Sequence, residues 1–195
     1  ALLPPSAWPN AAKPESLAAG VREAPPAPRG NATCSTRAAQ GRGMQMKVYY
    51  EVRKPLLFNL DVVDDYPPVS AERMWAEALP NGTYRVRNIP FYSHEVCLHD
   101  EVSVTRGAEG LLQFEAMVKP SGNSTVRVIF FAAGYDSMLA VLETLTAMGC
   151  TWEGLKAHFF TLNIGSNVSL DAVFEVLDAQ FELGCLDYES GLLRQ

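Results

Sequence analysis

The side chains that could do chemistry concentrate between residues 84 and 127. Asn88 precedes Ile-Pro-Phe, and residues 121–127 read Ser-Gly-Asn-Ser-Thr-Val-Arg. Amide, carboxylate, hydroxyl and guanidinium groups bind small polar ligands when they converge on a cleft. The candidate ligand-binding set therefore contains five residues: Asn88, Asp100, Ser121, Asn123 and Arg127.

Each of these residues also has a structural explanation. An asparagine before Ile-Pro can bond its own turn, and we favour this explanation for Asn88. Arg127 lies in a predicted strand between two valines that face the other way. An inward Arg127 needs a carboxylate, and Asp100 or Glu101 is the expected partner. Residues 121–124 could bind an anion through backbone amides, but they are also ordinary turn formers and no helix follows them.

We recognise no complete catalytic or metal-binding set. His94 and His99 are five residues apart, which in a strand directs them to opposite faces and disfavours a metal site with Asp100. A Ser121–His99–Asp100 triad is disfavoured because no nucleophile elbow is present and adjacent His and Asp side chains diverge. We therefore expect no catalytic residue, no metal and no cofactor, and we lean against an enzyme.

The charge of the chain is unevenly distributed. The 195 residues carry a net charge of −6, but five basic and two acidic residues lie before Met46, which leaves 11 basic and 20 acidic residues after it. An acidic body of this kind repels the phosphate backbone of nucleic acids and favours encounters with basic protein surfaces. We expect a basic protein partner and no nucleic acid. The oligomeric state is left open.

Cysteine usage and hydropathy point to a cytoplasmic protein. The four cysteines are widely spaced and form no CxxC pair, so a zinc site built on them is disfavoured. No apolar run approaches the roughly 20 residues that cross a bilayer, so no membrane association is expected. Free thiols suit a reducing compartment. The cysteines are Cys34, Cys97, Cys150 and Cys185.

The first part of the chain divides into a tail and a β-rich lobe. Residues 1–45 are rich in Pro, Ala and Arg, with seven of the 13 prolines between Pro4 and Pro28, and are expected to be disordered. Residues 46–118 predict a β-rich lobe with one helix. That helix begins at Ser70 and carries an apolar stripe of Met74, Trp75, Ala78 and Leu79. The predicted strands are residues 48–52, 56–63, 83–89, 101–106 and 111–118.

Residues 119–195 predict a ferredoxin-like βαββαβ lobe that shares a core with the preceding lobe. The strand at 125–131 leads to a helix that Asp136 caps and Gly149 ends, and a hairpin follows around Gly154. A second helix runs from Ser169 to Gly184, and the last strand covers 186–188. The helix residues expected to face inward are Leu139, Val141, Leu142, Leu145, Met148, Val173, Phe174, Val176, Leu177 and Phe181. The predicted fold class is therefore α+β.

Four motifs occur together in the ordered part of the chain. They are Glu72-x-x-Trp75-Ala76, Gly82-x-Tyr84-x-x-x-Asn88-Ile89-Pro90-Phe91, Asp100-Glu101-Val102 and the segment 121–127. In this order and spacing, over about residues 47–188, they resemble a bacterial family called domain of unknown function 4265. That family has no established activity, cofactor or catalytic residue, so the resemblance implies no functional residue.

The sequence leaves three functions open. The leading hypothesis is an uncharacterised bacterial cytoplasmic protein that acts as a non-catalytic protein-interaction module, for example by binding a basic toxin as immunity proteins do. The alternative is a small-ligand sensor or enzyme with a pocket between the two lobes, lined by Asn88, Asp100, Asn123 and Arg127. RNA binding is the third, and it requires a basic or aromatic sheet face.

Overall fold

The computed structural model describes residues 21–22, 53–107 and 110–195, and these residues form a strand-rich α+β structure. The predicted strand at residues 48–52 and all of the predicted tail except Val21 and Arg22 lie outside them. The strands are β1 (Val21–Arg22), β2 (Arg53–Asn59), β3 (Ala71–Ala78), β4 (Tyr84–Val86), β5 (Glu101–Arg106), β6 (Leu112–Lys119), β7 (Ser124–Phe130), β8 (Thr151–Lys156), β9 (Phe159–Ile164) and β10 (Leu186–Leu192). The α-helices in the same residues are α1 (Met138–Ala147) and α2 (Leu170–Glu182).

Strands β2 to β6 close into a five-stranded barrel. The order β3-β2-β6-β5-β4 returns to β3 through a β3–β4 pairing. Only β2 and β6 run parallel within this ring, and β1 adds in parallel to the first two residues of β3. Closure pairs the backbone N–H and C=O groups that the edge strands of an open sheet would expose. The barrel core contains Leu56, Phe58, Met74, Ala76, Tyr84, Val86, Val96, Val102 and Leu112.

The helix predicted to begin at Ser70 is wrong, because Ala71–Ala78 form β3. Ala, Glu, Arg and Met favour helices in isolation, and this propensity misled the prediction. In the structure, Met74 and Ala76 are buried while Trp75 between them is half-buried, which is the alternation of a strand. β2 pairs along its whole length with β3, and β4 pairs with the end of β3. These pairings close the barrel and override the helical propensity.

Strands β7 to β10 form an antiparallel four-stranded sheet in the order β10-β7-β9-β8. From β7 onward the elements follow the order strand, helix, strand, strand, helix, strand. The two helices cover one face of the sheet. Their shared core contains Val126, Val128, Phe130, Val141, Leu142, Leu145, Cys150, Phe160, Leu162, Ile164, Val168, Val173, Leu177 and Leu186. Neither helix has the length and hydropathy that a bilayer crossing requires, within the described part of the chain.

Three of the four helix ends follow the predicted signals. Ser169 Oγ accepts a hydrogen bond from the backbone N–H of Ala172, so Ser169 is the N-cap of α2 as predicted. Gly149 and Gly184 follow the two helices with φ of 101° and 67°. Glycine adopts this left-handed conformation with little strain, which explains its position just after each C-cap.

Two details of the second lobe differ from the prediction. Ser137, rather than Asp136, is the residue before the first turn of α1, and its side chain makes no cap hydrogen bond. Gly154 lies inside β8 rather than at the hairpin turn. A register shift between Gly154 and Lys156 lets β8 continue past the glycine.

Two apolar side chains predicted to face inward are exposed. Leu139 of α1 is 63% exposed and Phe181 of α2 is 45% exposed. Each helix touches the sheet along one face only, and the apolar stripe of each sequence is wider than that face. The outer side of the helices therefore carries exposed apolar side chains.

Candidate functional site

The predicted site residues surround one irregular segment between the barrel and the sheet. We call residues 87–100, which link β4 to β5, the connector. Several of its apolar side chains are buried, among them Ile89, Phe91, Val96 and Cys97. A buried segment without regular structure needs partners for its backbone N–H and C=O groups. The two lobes supply these partners.

Glu72 of β3 binds the connector from the barrel side. Its carboxylate is completely buried and accepts hydrogen bonds from three successive backbone N–H groups, those of Phe91, Tyr92 and Ser93, at 2.8, 3.0 and 3.0 Å. Hydrogen bonds to an ionised acceptor are stronger than neutral ones. Glu72 therefore fixes the backbone of the connector against the barrel.

Arg127 of β7 binds the same residues from the sheet side. Its Nε donates to the carbonyl oxygen of Phe91, and its Nη2 donates to that of Ser93 at 3.0 Å. Nη1 donates to Glu189 Oε1 at 3.0 Å and to His94 Nε2 at 3.2 Å. The guanidinium is fully enclosed and uses all three of its nitrogens. A buried cation requires an ion-pair partner and hydrogen-bond acceptors of this kind.

The partner predicted for Arg127 is wrong. The ion pair is with Glu189, and neither Asp100 nor Glu101 contacts the guanidinium in the interactions found. Glu189 stands directly opposite Arg127 in the β10–β7 register. Because residues that face each other across two strands point to the same side of the sheet, β10 delivers the carboxylate to the buried cation.

Asn88 begins the buried part of the connector and bonds β3 instead of its own turn, contrary to our expectation. Its Oδ1 accepts a hydrogen bond from the backbone N–H of Trp75 at 2.7 Å. The next residue, Ile89, donates its backbone N–H to Glu153 Oε1 of β8 at 3.0 Å. Asn88 and Ile89 therefore attach the connector to the barrel and to the sheet, respectively.

Asp100 forms a second buried cluster at the other end of the connector. Its Oδ1 accepts from Ser121 N at 2.7 Å, Ser121 Oγ at 2.8 Å and Arg194 Nη1 at 2.6 Å, while Oδ2 accepts from Cys97 N at 2.7 Å. The backbone N–H of Asn123 donates to Ser121 Oγ at 3.2 Å. Four donors satisfy the Asp100 carboxylate, and the cluster joins the connector to residues 121–123.

The structure therefore brings together three of the five predicted ligand residues. Asp100, Ser121 and Asn123 share one hydrogen-bonded cluster, whereas Arg127 and Asn88 belong to other contacts of the connector. A ligand that used the bonded atoms of these residues would have to displace hydrogen bonds within the chain, whereas Asn88 Nδ2 is buried without a hydrogen-bond partner among the described residues.

The histidines do not link a nucleophile to a carboxylate. Ser121 Oγ donates directly to Asp100, with no ring between them. His99 is exposed and has a φ of 70°, and His94 covers the edge of Arg127. His94 Nε2 accepts from the guanidinium, so its Nδ1 carries the proton that it donates to the carbonyl oxygen of Gly191 at 2.8 Å. Among the described residues, no group of three or more His, Cys, Asp or Glu side chains has metal-binding geometry.

Three residues of these clusters were not predicted from the sequence as site residues. Glu72 was assigned to a helix and was given no role of its own, whereas it lies in β3. Glu189 and Arg194 were not considered, because their roles depend on which strands pair and on the path of the chain after β10. The motif Glu72-x-x-Trp75 was the one available signal, since it joined Glu72 to the family resemblance.

Burial raises the pKa values of groups in and beside the connector, among them Tyr66 and Cys97. Desolvation raises the pKa of Tyr66 above its usual range, and the negative charge of Glu189 adds to this effect. The Tyr66 hydroxyl donates to Glu189 Oε1 at 3.3 Å, which favours the same protonated form. Burial also raises the pKa of the Cys97 thiol. A thiol of raised pKa is a poor nucleophile at neutral pH.

A different surface, on the outer side of the helices, remains open to solvent. We define the helical layer as residues 136–149 and 169–184, which hold α1, α2 and their flanking residues. It has six exposed carboxylates and no Lys or Arg. The carboxylates are Asp136, Glu143, Asp171, Glu175, Asp178 and Glu182. Between α1 and α2 lies a groove of about 540 Å³.

Comparisons with known proteins agree with this fold and its family. No curated protein matches the chain. A solved structure described as "Novel crystal structure of a hypothetical protein from Neisseria gonorrhoeae" is similar with a TM-score of 0.64 and 17% identity, over 75% of this chain and 99% of that chain. At this identity the likeness concerns the fold alone. The sequence profile of the family described as "Domain of unknown function (DUF4265)" matches residues 72–188, which is more than half of the chain, and the protein therefore belongs to that family.

Proposed function

We propose that the protein is a non-catalytic interaction module that binds a basic protein partner. The observation that carries this proposal is the charge of the second lobe. Residues 128–193 contain nine Asp or Glu residues and a single Lys, Lys156. Like charges gathered on one surface create a field that attracts a cationic partner and speeds its encounter.

The use of the polar residues inside the fold supports the same proposal. Arg127 and Asp100 are completely buried, and each is saturated by partners within the chain. Their charges stabilise the junction between the lobes and are not presented to a ligand. The helical layer, by contrast, presents its six carboxylates to solvent.

The proposal includes a fold type and a cellular setting. We assign residues 119–195 to a ferredoxin-like lobe, which the element order and the strand order β10-β7-β9-β8 support. We place the protein in a bacterial cytoplasm, where the free thiols of Cys97, Cys150 and Cys185 would stay reduced. A basic toxin of the kind that immunity proteins neutralise has the chemistry expected of the partner.

The test compares two variants that remove the same number of charges. In the first, Glu143→Gln, Glu175→Gln, Asp178→Asn and Glu182→Gln remove four of the six carboxylates of the helical layer. In the second, Asp61→Asn, Asp64→Asn, Asp65→Asn and Glu115→Gln neutralise exposed carboxylates of the barrel lobe. A partner is captured from the native host with the full chain, purified, and titrated against wild type and both variants at several salt concentrations.

We expect the partner to be basic and the first variant to weaken binding by roughly tenfold or more, with a shallower salt dependence. The barrel variant should bind within about twofold of wild type, because salt screens exposed charges that lie farther from an interface than a Debye length. If no partner survives purification, or if both variants bind equally well, the proposed function is wrong.

A further inference from the structure

A second concave surface lies at one end of the barrel. It is a pocket of about 280 Å³, formed by the start of β2, the end of β5 and the residues that lead into β6. Small ligands often bind in the mouths of β-barrels. We call this pocket the barrel mouth, and its lining consists of Lys54, Pro55, Arg106, Gly110, Leu111 and Leu112.

The barrel mouth forms where two parallel strands separate. The register of β2 and β6 begins at the pair Leu56 and Leu112, so the two residues before Leu56 have no ladder partner on β6 within the described part of the chain. On the other side, the backbone N–H of Gly107 donates to the carbonyl oxygen of Leu111 at 2.8 Å. This hydrogen bond fixes the wall opposite β2. The opening between the strands is therefore set by the barrel itself.

Lys54 lies on the inner face of the barrel. Successive side chains of a strand point to opposite faces, so residues two apart share a face. Leu56 and Phe58, two and four residues after Lys54, are completely buried in the barrel core. Lys54 has the same parity and is half-buried at the end of the strand. Its ammonium group therefore belongs to the mouth rather than to the outer surface of β2.

Arg106 reaches the same mouth from β5. It stands directly opposite Leu112 in the β5–β6 register, and residues that face each other across two strands point to the same side of the sheet. Leu112 is 4% exposed and belongs to the barrel core. Arg106 therefore also lies on the inner face, and its side chain is exposed because β5 ends at the open end of the barrel.

The two positive side chains have no carboxylate beside them in the lining of the mouth. Among the described residues, neither Lys54 nor Arg106 makes an ion pair or a side-chain hydrogen bond. From residue 46 onward the chain has 20 acidic and 11 basic residues, so an unpaired pair of cations is unusual for its composition. A concave site with apolar walls focuses the field of such charges and concentrates anions.

The chemistry of the lining selects a phosphate monoester among small anions. Lysine binds a phosphate group as a point charge, and arginine binds it through two parallel hydrogen bonds. A phosphate monoester carries a charge of about −1.5 to −2 at pH 7, which matches two cations better than a single carboxylate does. Pro55, Leu111 and Leu112 offer apolar surface to the carbon part of the ester. The volume is near the lower limit of about 300 Å³ for ligand pockets, which favours a small molecule.

We propose that the barrel mouth binds a small phosphate monoester, whose phosphate group pairs with Lys54 and Arg106 while its carbon skeleton packs on Leu111 and Leu112. This site goes beyond the proposed function, because it lies in the barrel lobe and the proposed function concerns the helical layer of the other lobe. The two proposals stand or fall separately.

The probe is glycerol 3-phosphate, titrated into the full isotope-labelled chain. Amide chemical shifts locate the contact, and their dependence on concentration gives the affinity. We expect the shifts to concentrate at the amides of Lys54, Arg106, Gly110, Leu111 and Leu112. Glycerol tests the need for the phosphate group, acetate tests a carboxylate in its place, and inorganic phosphate tests the contribution of the carbon part. Glycerol and acetate should cause no shifts at the mouth, and inorganic phosphate should bind there more weakly than the ester.

Matched variants separate the mouth from general attraction between opposite charges. Lys54→Gln with Arg106→Gln removes both cations of the mouth. Lys119→Gln with Lys156→Gln removes two exposed cations from the opposite end of β6 and from β8. We expect the mouth variant to lose roughly tenfold or more in affinity and the control to stay within about twofold, because only the first loses charge-assisted hydrogen bonds. Urea denaturation of both variants verifies that they are folded.

Three results would overturn the proposal. The first is equal binding of the ester by the two variants, or wild-type shifts scattered over the lysines and arginines of the whole chain. The second is binding of acetate at the mouth as tight as that of the ester. The third is a short single-stranded oligonucleotide that shifts the same amides at lower concentration than the ester, which would assign the mouth to nucleic acid. The variant that lacks four carboxylates of the helical layer should bind the ester as wild type does.

Discussion

Glu72 and Arg127 hold the same three residues of backbone from opposite sides. The carboxylate accepts the N–H groups of Phe91, Tyr92 and Ser93, and the guanidinium donates to the carbonyl groups of Phe91 and Ser93. One of these side chains belongs to the barrel and the other to the four-stranded sheet. The connector therefore joins the two lobes through charge-assisted hydrogen bonds.

Replacement of Arg127 should make the folded state much less stable. Arg127→Leu leaves two carbonyl groups of the connector without donors and Glu189 without its cation, in a region closed to water. Loss of one member of a buried ion pair costs about 3–5 kcal/mol. We expect a decrease of that size in the free energy of unfolding, measured by urea denaturation at pH 7.

The control for this prediction is Arg106→Gln, which removes an exposed arginine from the end of β5. A surface substitution of this kind changes stability by less than about 0.5 kcal/mol. If Arg127→Leu is no more destabilising than Arg106→Gln, the guanidinium does not hold the connector in place.

Glu72→Gln should loosen the connector locally. The amide keeps one oxygen acceptor, but its NH₂ group now faces a backbone N–H that needs an acceptor. A buried donor left unsatisfied costs about 1–3 kcal/mol. We expect the amides of Phe91, Tyr92 and Ser93 to exchange with deuterium faster in this variant, as NMR can measure residue by residue. Glu115→Gln, on the exposed side of β6, should leave their exchange unchanged, and equal exchange in the two variants would contradict the assignment.

Gly134→Ala should disrupt the turn between β7 and α1. A Cβ at this position would lie 2.2 Å from the carbonyl oxygen of Cys185, which is fixed by its hydrogen bond to Phe131 N. Overpacking of this kind costs about 1–3 kcal/mol. We expect a lower melting temperature, with Ala132→Ser in the same turn as the unaffected control. A melting temperature equal to that of wild type would show that the backbone at Cys185 yields easily.

Tyr188 should make the fold sensitive to alkaline pH. Burial, followed by the hydrogen bond and the negative charge of Asp178, raises the pKa of Tyr188 from 10.0 to about 12. Because the folded-state pKa is the higher one, the stabilisation is complete below pH 10 and is lost as the pH rises towards 12. We expect the free energy of unfolding to fall over this interval, with a smaller fall in Tyr188→Phe.

In Tyr188→Phe, the slope of the free energy of unfolding against pH should become only partly smaller, because burial also raises the pKa of Tyr66. Asp178→Asn supplies a second variant, since it removes one cause of the shift and keeps the tyrosine. Urea denaturation at successive pH values measures both slopes. Identical slopes in wild type and Tyr188→Phe would contradict the prediction.

The helices of the second lobe could be predicted because their signals are local. Ser169 caps α2 through its own hydroxyl, and Gly149 and Gly184 supply the left-handed residue that ends each helix. Capping and chain termination involve residues a few positions apart, so the sequence alone displays them. The exposure of Leu139 was not predictable in this way, because it depends on how much of α1 the sheet covers.

The barrel strand and the ion pair could not be predicted because their causes are distant in the chain. β3 has the composition of a helix and becomes a strand only because β2 and β4 pair with it. Arg127 visibly needed a carboxylate, but its partner Glu189 is specified by the β10–β7 register. Without that register, the sequence analysis could only choose a carboxylate in a predicted neighbouring strand, such as Glu101.

The register of β10 also orders events during synthesis. Arg127 leaves the ribosome long before Glu189, so the guanidinium lacks its ion-pair partner until β10 has been made. The arginine that holds the connector thus gains its ion-pair partner only when a residue far downstream has been made. Ribosome-arrested chains that stop short of residue 186 should consequently be cleaved by proteases within residues 87–100, whereas released chains should resist cleavage there.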